Sequence, residues 1–360
     1  MNGLNKLLLA CAVFVAGAPA LAGEYLVVAN RGSRDLSIIR LTDHHLAATL
    51  PIHETGKVDD VAAMPDGSLL FANVQLDPDE TPNAKPRGEV LAFSSRTGQR
   101  AWTQKVDGVP HHMTVSADGK QLFVPLFDRQ RIEILDTATG AIIGSLYGRL
   151  GMHTTVLSND GKTLYAGSIF TGQIYAFDIA SRKLVRSLSL SNGEFGGIAV
   201  RPFAVTADDA TIYAQLSGLH GFAVLDVAKN KVKKLVRYGD LPADFEYPDY
   251  PYNVDHGLEL SPDGKTLVMV SESTRKVYVY SVDPLVLRKT IPVGRVSKWV
   301  SFSASGDHAY VSNSGDNDIS VISMKSLAEV ARIATGGVGG TIMRVLEIPD
   351  ANITELAKAK

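Results

Sequence analysis

The chain has 360 residues, 45% of them hydrophobic, and its formal charge is −2 at pH 7. This balance gives no basic surface for nucleic acid or for an anionic membrane, and we expect neither as a partner. The single cysteine is Cys11, so a mature chain that begins after it has no disulfides, thiolate metal sites or cysteine nucleophile.

Residues 1–22 have the pattern of a secretory signal peptide. Lys6 provides a basic start, an apolar stretch runs from Leu7 to Val15, and the ALA of residues 20–22 is an A-x-A cleavage site. No later apolar run is long enough to span a bilayer. We therefore predict a periplasmic or secreted protein without a membrane span, with residues 23–360 as its single domain.

A unit of about 40 residues recurs along this domain and is clearest at residues 298–337. Four short apolar runs alternate there with polar turns: WVSF, AYVS, ISVIS and VARI. Such a unit is typical of a four-stranded antiparallel sheet. A sheet repeated at this period is the signature of a β-propeller.

Six blades are marked by the turn that follows each innermost strand: MPDGS (64–68), SADGK (116–120), SNDGK (158–162), TADDA (206–210), SPDGK (261–265) and SASGD (303–307). A seventh is split between the termini. EYLVVAN, LSIIRL and LAATLPI supply three strands, and RVLEI (344–348) supplies the innermost one. We therefore predict an all-β, seven-bladed β-propeller closed by N- and C-terminal strands in one blade, which leaves no open sheet edge. The last ten residues have helical composition and should lie outside the blades.

These repeats resemble those of the YVTN family of bacterial propellers, to which AYVSNSGDNDISVIS is very similar. The resemblance covers the mature chain and implies a fold rather than a function, because these propellers carry unrelated activities. The segment PHHMTVSADGKQLFVPLFDRQRIEI is also similar to lactonase-type seven-bladed propellers, which implies a hydrolase or lyase as an alternative. The propeller domain of cytochrome cd-type nitrite reductases is similar at a coarser level.

One position in the repeat predicts the functional site. The innermost strands begin at the channel face opposite the turns, so the residue seven positions before the turn Asp should lie at the channel mouth. Every residue at this position is polar: Asp59, His111, His153, Arg201, His256, Lys298 and, by a looser alignment, Arg344. His112 is an equal candidate for the inward position in its blade.

Three of the nine histidines at one structural position predict a bound ligand or metal. Neutral imidazoles of His111, His153 and His256 could converge on a transition metal or supply an axial ligand to a haem-type tetrapyrrole. Cations on the other half of the ring favour a small anionic ligand: Arg201, Lys298 and Arg344. We therefore expect an accessory or carrier protein that binds a small anionic ligand, a metal or a tetrapyrrole and acts with another periplasmic protein.

Three alternatives stay open. The same residues could serve a lactonase-like hydrolase or lyase, with a histidine as general base and a cation stabilising an oxyanion. The propeller could be a protein-interaction scaffold with an inert channel, or the polar residues could only line water.

Loops around the ring give further expectations. His53 and His220 should lie on the ring face, whereas His44, His45 and His308 should lie on the turn face. Two insertions should also reach the ring face: residues 76–87, a solvated loop, and residues 239–255, whose aromatic residues predict a lid leading to His256.

Overall fold

The computed structural model describes residues 22–76, 87–191, 199–239, 241 and 255–358. The predicted signal peptide, except Ala22, and most of both insertions lie outside the described residues. So do the four aromatic residues of the predicted lid: Phe245, Tyr247, Tyr250 and Tyr252. Within the described residues the strands form seven four-stranded antiparallel sheets, and no helix is long and apolar enough to cross a membrane.

The strands follow one another in chain order around the ring. The chain begins with β1 (Ala22–Asn30), β2 (Asp35–Arg40) and β3 (His45–Pro51). Blade 1 contains β4 (Lys57–Ala63), β5 (Leu69–Gln75), β6 (Gly88–Ser94) and β7 (Arg100–Val106). Blade 2 contains β8 (Thr114–Val115), β9 (Gln121–Leu126), β10 (Arg131–Asp136) and β11 (Ile142–Tyr147). Blade 3 contains β12 (Met152–Leu157), β13 (Thr163–Ser168), β14 (Gln173–Asp178) and β15 (Lys183–Ser189).

The remaining blades repeat this order. Blade 4 contains β16 (Val200–Val205), β17 (Thr211–Leu216), β18 (Gly221–Asp226) and β19 (Lys231–Arg237). Blade 5 contains β20 (Leu258–Leu260), β21 (Thr266–Ser271), β22 (Lys276–Ser281) and β23 (Val286–Pro292). Blade 6 contains β24 (Ser297–Phe302), β25 (His308–Asn313), β26 (Asp318–Ser323) and β27 (Ala328–Ala334). The chain continues with β28 (Gly340–Pro349) and helix α1 (Asp350–Lys358).

Blade 7 joins the two ends of the domain. Its strand order is β28-β1-β2-β3, and β28 pairs antiparallel with β1 from Ala22 opposite Pro349 to Asn30 opposite Gly340. The predicted seven-bladed propeller with a shared closing blade is therefore confirmed. Hydrogen bonding between the chain ends closes the ring of sheets, which protects the strand edges from pairing with other chains.

The turns that marked the blades have the backbone conformation that their residues favour. A positive φ of 67 to 74° occurs at five glycines: Gly67, Gly119, Gly161, Gly264 and Gly306. In blade 4 the residue with positive φ is Asp209, at 55°. Glycine has no Cβ to clash in this region, and aspartate tolerates it better than most residues.

The core lies between neighbouring blades, where the apolar faces of adjacent sheets pack together. Phe123 and Ile134 of blade 2, for example, pack with Leu164 and Phe177 of blade 3. The helix α1 packs against the cluster between blades 7 and 1, where Ile353 and Leu356 are buried. The tail is thus helical as predicted and lies outside the sheets, but its apolar side belongs to the core.

Candidate metal centre at the channel mouth

Irregular pairing of the innermost strands places ring residues at the channel. The register against the neighbouring strand shifts between Val58 and Val61, Met152 and Thr154, Val200 and Phe203, and Ser297 and Trp299. These shifts contain Asp59, His153, Arg201 and Lys298, respectively. A β-bulge changes the direction of the local side chain, so each bulge turns a polar residue towards the channel mouth.

Blades 2 and 5 use a different local structure. Their innermost strands are short and begin at Thr114 and Leu258, so the histidines lie in the segments that precede these strands. His111 and His112 precede β8, and His256 precedes β20. The amide of His112 donates to the carbonyl oxygen of His153 at 3.1 Å, which fixes the two neighbouring segments together.

Arg344 does not share this position. In blade 7 the register shift lies between Val28 and Asn30, opposite Thr341 and Ile342, and these two residues line the mouth. Arg344 is further along β28, one layer deeper in the channel. The looser alignment missed this because no polar turn of the repeat type follows β28.

The side chains at the mouth enclose a cavity of about 180 Å³, referred to below as the ring cavity. Seven of the eight predicted residues line it: Asp59, His111, His112, His153, Arg201, His256 and Lys298. Arg31, Thr341 and Ile342 complete the wall. The sequence reasoning missed Arg31 because it lies in the loop after β1, away from the repeat position that we aligned.

Three imidazoles converge in the ring cavity. One nitrogen each of His111, His112 and His153 lies within 4.8 Å of the other two. The ring centroid of His153 is 4.3 Å from that of His111 and 4.5 Å from that of His112. The ring of His256 is farther away, 6.1 Å from His112 and 6.2 Å from His153. The closest set therefore contains His112 where we predicted His256.

Several buried polar atoms of this site have no hydrogen-bond partner among the described residues. They are both ring nitrogens of His112, Nδ1 of His111 and Oδ2 of Asp59. His111 Nδ1 and Asp59 Oδ2 are 3.1 Å apart, but they are not aligned as a hydrogen bond. An unsatisfied buried polar group costs about 1–3 kcal/mol, so these atoms are suited to an additional polar partner.

Burial favours the neutral form of three of the imidazoles. Desolvation holds the pKa values of His112 and His153 well below their usual range and lowers that of His256 to about 3. The Nδ1–H of His256 faces the carbonyl oxygen of Lys298 at 3.0 Å, which leaves Nε2 as its acceptor. Neutral imidazole nitrogens carry the lone pair that a metal ion needs.

The charged residues of the ring cavity form pairs around the imidazoles. Arg31 lies 2.7 Å from Asp59, and Lys298 lies 3.8 Å from Glu272. Burial alone would raise the pKa of Asp59, but His111 and then Arg31 outweigh it and hold the pKa well below its usual range. Arg201 Nε donates to Ser217 Oγ at 2.7 Å. The cavity thus combines imidazoles with cationic side chains.

A second polar layer lies beneath the ring. Arg344 packs over the ring of Trp299, 4.7 Å from its centroid, and its guanidinium lies 3.4 Å from Asp60. Asp60 is fully buried and accepts a hydrogen bond from the amide of Met113 at 2.6 Å. Burial raises its pKa to about 6. The rings of His112 and His256 lie 5.1 and 5.7 Å from Trp299, which therefore lies between the two layers.

The remaining histidines lie outside the ring cavity. His220 Nδ1 is 2.9 Å from Asp255 Oδ2, so it holds the residue that precedes His256. His53 lies in the loop after β3, 3.6 Å from Glu89. On the turn side, His44 and His45 are at the β2–β3 hairpin and His308 begins β25.

Comparison with known proteins supports the architecture. The PQQ_2 family model, described as outer membrane protein assembly factor BamB, matches residues 9–145, which is less than half of the chain. No curated protein matches the sequence. Solved structures that match include the hydrazine synthase of Kuenenia stuttgartiensis, with a TM-score of 0.68 and 18% identity over 83% of this chain and 92% of that chain.

Two lactonase-type structures also match. The periplasmic gluconolactonase PpgL of Pseudomonas aeruginosa has a TM-score of 0.70 and 18% identity, covering 91% of this chain and 100% of that chain. A candidate 6-phosphogluconolactonase of Bacteroides fragilis has a TM-score of 0.68 and 16% identity, covering 90% and 98%. At these identities the likeness concerns the fold alone. The chain is a seven-bladed β-propeller similar in architecture to lactonase and hydrazine synthase propellers.

Proposed function

We propose that this protein binds a divalent transition-metal ion in the ring cavity, through His111, His112 and His153, and that it acts as a periplasmic carrier or accessory protein. The observation that carries the proposal is the convergence of three imidazoles within 4.8 Å. Both nitrogens of His112 are buried without a hydrogen-bond partner among the described residues.

The donor set suits metals of intermediate softness. Imidazole nitrogens bind zinc, copper, nickel and iron, and a site without several carboxylate or carbonyl oxygens is a poor site for calcium or magnesium. Tetrahedral zinc with Zn–N bonds of about 2.0–2.1 Å needs its nitrogens closer together than the 4.8 Å limit of this cluster. Small rotations of the histidine side chains would have to bring the nitrogens to this shorter distance.

Surrounding residues would complete such a site. Asp59 lies against His111, as the carboxylates that orient metal-binding histidines do. Arg201 and Lys298 line the same cavity and would favour an anion as an additional ligand of the metal. A cavity of about 180 Å³ accommodates an ion with small ligands, whereas a tetrapyrrole macrocycle would have to lie over the mouth.

A lactonase-like hydrolase is the second candidate. The observation in its favour is that the imidazoles and the cations of Arg201 and Lys298 share one cavity, as a general base and an oxyanion-stabilising group must. The proteins with lactonase titles have the same fold. Release of acid from simple lactones by the metal-loaded protein, lost on replacing Arg201 with methionine, would favour this function over a carrier role.

Titration of purified metal-free protein with Zn²⁺ and Co²⁺, followed by calorimetry and by the visible spectrum of the cobalt form, tests the proposal. We expect one ion per chain. Joint replacement of His111, His112 and His153 by alanine should weaken binding by at least about 100-fold, because all three proposed ligands are lost.

A matched control replaces the same number of histidines on the opposite side of the molecule. Alanine at His44, His45 and His308 should leave stoichiometry, affinity and the cobalt spectrum unchanged. Equal binding by both triple variants would show that the ring only lines the channel. Analysis of the protein isolated from the periplasm would identify the metal carried in the cell.

A further inference from the structure

Below the Asp60–Arg344 layer the channel widens into a second cavity that the proposed function does not use. Its volume is about 470 Å³, within the range of about 300–1,000 Å³ that is common for small-molecule pockets. Every blade contributes to its wall, from Ala63 in blade 1 to Leu346 in blade 7. The wall is mainly apolar and includes Val115, Val156 and Phe203.

The two charged residues of this wall, Arg344 and Glu259, differ in whether they have an oppositely charged side chain nearby. Arg344 already contacts Asp60 and the Trp299 ring. Glu259 has no basic side chain within 4.0 Å among the described residues, although it lines the same cavity. Burial raises its pKa to about 7, and the charge of Arg344 together with a hydrogen bond from the backbone N–H of Phe302 offsets only part of that effect. The carboxyl of Glu259 is therefore an acid without a close counterion in an apolar wall.

Acidic side chains outnumber basic ones in the layer formed by Asp60, Glu259 and Arg344. Asp60 and Glu259 are two acids, and Arg344 is the base that interacts with both. Arg344 lies 3.4 Å from Asp60, so ionised Glu259 adds a negative charge that no close base among the described residues compensates. A carboxylate or phosphate ligand would add to this charge, whereas a cation would neutralise it. Charge complementarity therefore favours a cationic occupant.

A further cavity adjoins this one on the side of the turn face. It has a volume of about 270 Å³, shares Leu157, Val205 and Leu260 with the larger cavity and lies between blades 3, 4 and 5. Asp209 lines this outer cavity.

We propose that this lower channel cavity binds a small apolar cation, an alkyl- or arylammonium compound, whose positive head pairs with Glu259 and whose body packs against the apolar wall. The positive charge would supply the counterion that Glu259 lacks. The apolar body would remove the surfaces of Val115, Val156 and Phe203 from water, which is the main source of affinity in such pockets. Trp299 and the Asp60–Arg344 layer separate this site from the ring cavity, so the proposal does not depend on metal binding.

Two probes of the same shape test the charge requirement. Benzyltrimethylammonium and its uncharged carbon isostere neopentylbenzene are titrated into the full-length mature protein, with binding followed by Trp299 fluorescence and by ligand NMR. The ammonium compound should bind at least about tenfold more tightly. In Glu259→Gln, which keeps the shape of the side chain, this preference should disappear while the neutral probe binds as before.

A second variant tests the location. Ala63→Leu places a larger side chain into the cavity and should abolish binding of both probes, whereas Glu329→Gln on the exposed outer strand β27 should change neither. Zinc binding in the ring cavity should be the same in all these variants. Equal affinities for the two probes, a charge preference that survives Glu259→Gln, or ammonium binding that survives Ala63→Leu would each overturn the proposal.

Discussion

Replacing His112 with leucine should stabilise the metal-free protein and remove its stabilisation by metal. The His112 side chain is 3% exposed, and neither of its nitrogens has a partner among the described residues. Each unsatisfied buried polar atom costs about 1–3 kcal/mol. Leucine has a similar volume but a different shape, and repacking against His153 and Trp299 should cost about 1–2 kcal/mol. The two atoms together cost about 2–6 kcal/mol, so we expect a net gain of up to about 5 kcal/mol in the free energy of unfolding.

The assay is urea unfolding with a chelator and, separately, with excess zinc. For the wild-type protein, zinc at a hundredfold of its dissociation constant should add about 2.7 kcal/mol. His112→Leu should show little of this increase because one proposed ligand is gone. Comparing the two proteins with the chelator measures how much buried His112 destabilises the fold. Comparing them with zinc measures how much His112 contributes to stabilisation by the metal.

A control variant separates this effect from leucine substitution in general. His45 begins β3 and is exposed, so His45→Leu should change stability by less than about 0.5 kcal/mol and keep the full response to zinc. If His112→Leu instead loses more than about 1 kcal/mol with the chelator present, the nitrogens of His112 are satisfied in the folded protein. Burial of these nitrogens would then cost the folded protein nothing.

Three further predictions concern stability and the surroundings of the metal. Because the pKa of Glu259 is raised from 4.5 to about 7, its contribution to stability is fully present below pH 4.5 and lost as the pH rises through 7. Glu259→Gln should therefore gain about 1–3 kcal/mol relative to the wild type between pH 5 and pH 8 in unfolding measurements, and parallel pH profiles would contradict this. Ending the chain at Pro349 removes the buried side chains of Ile353 and Leu356 and should lower the unfolding free energy by about 2–4 kcal/mol; an unchanged urea midpoint would show that α1 adds nothing to the core. Asp59→Asn should weaken zinc binding by about 10- to 100-fold without removing a ligand, and calorimetry showing wild-type affinity would exclude its role in orienting His111.

Much of the fold could be predicted because its signals are local. Apolar alternation along a strand and the residues of the turn after it act between near neighbours in the chain, so each blade can be recognised from its own segment. The pairing of β28 with β1 joins residues far apart in the chain. It was predictable because the N-terminal segment lacks an innermost strand and the C-terminal segment supplies one. The composition of the tail likewise predicted α1, although not the burial of Ile353 and Leu356.

Six of the seven residues found by the repeat alignment line one cavity, together with His112 beside His111. This worked because equivalent positions in successive blades converge on the channel. The alignment could not show which imidazoles are in contact, because that depends on local bulges and register shifts in the innermost strands. The segment before β8 brings His112 to His153, and the position of the bulge in β28 puts Thr341 at the mouth and Arg344 one layer deeper.

The amino-acid sequence thus determined the number of blades, their turns, the closing blade and the polar character of the channel mouth, since these depend on patterns within single segments. Only the tertiary structure decided the set of neighbouring histidines, the pairing of Arg31 with Asp59 and the isolation of Glu259 in an apolar wall. These features depend on how residues of different blades lie relative to one another. They arise when seven sheets pack around one axis, and no segment of the chain contains them by itself.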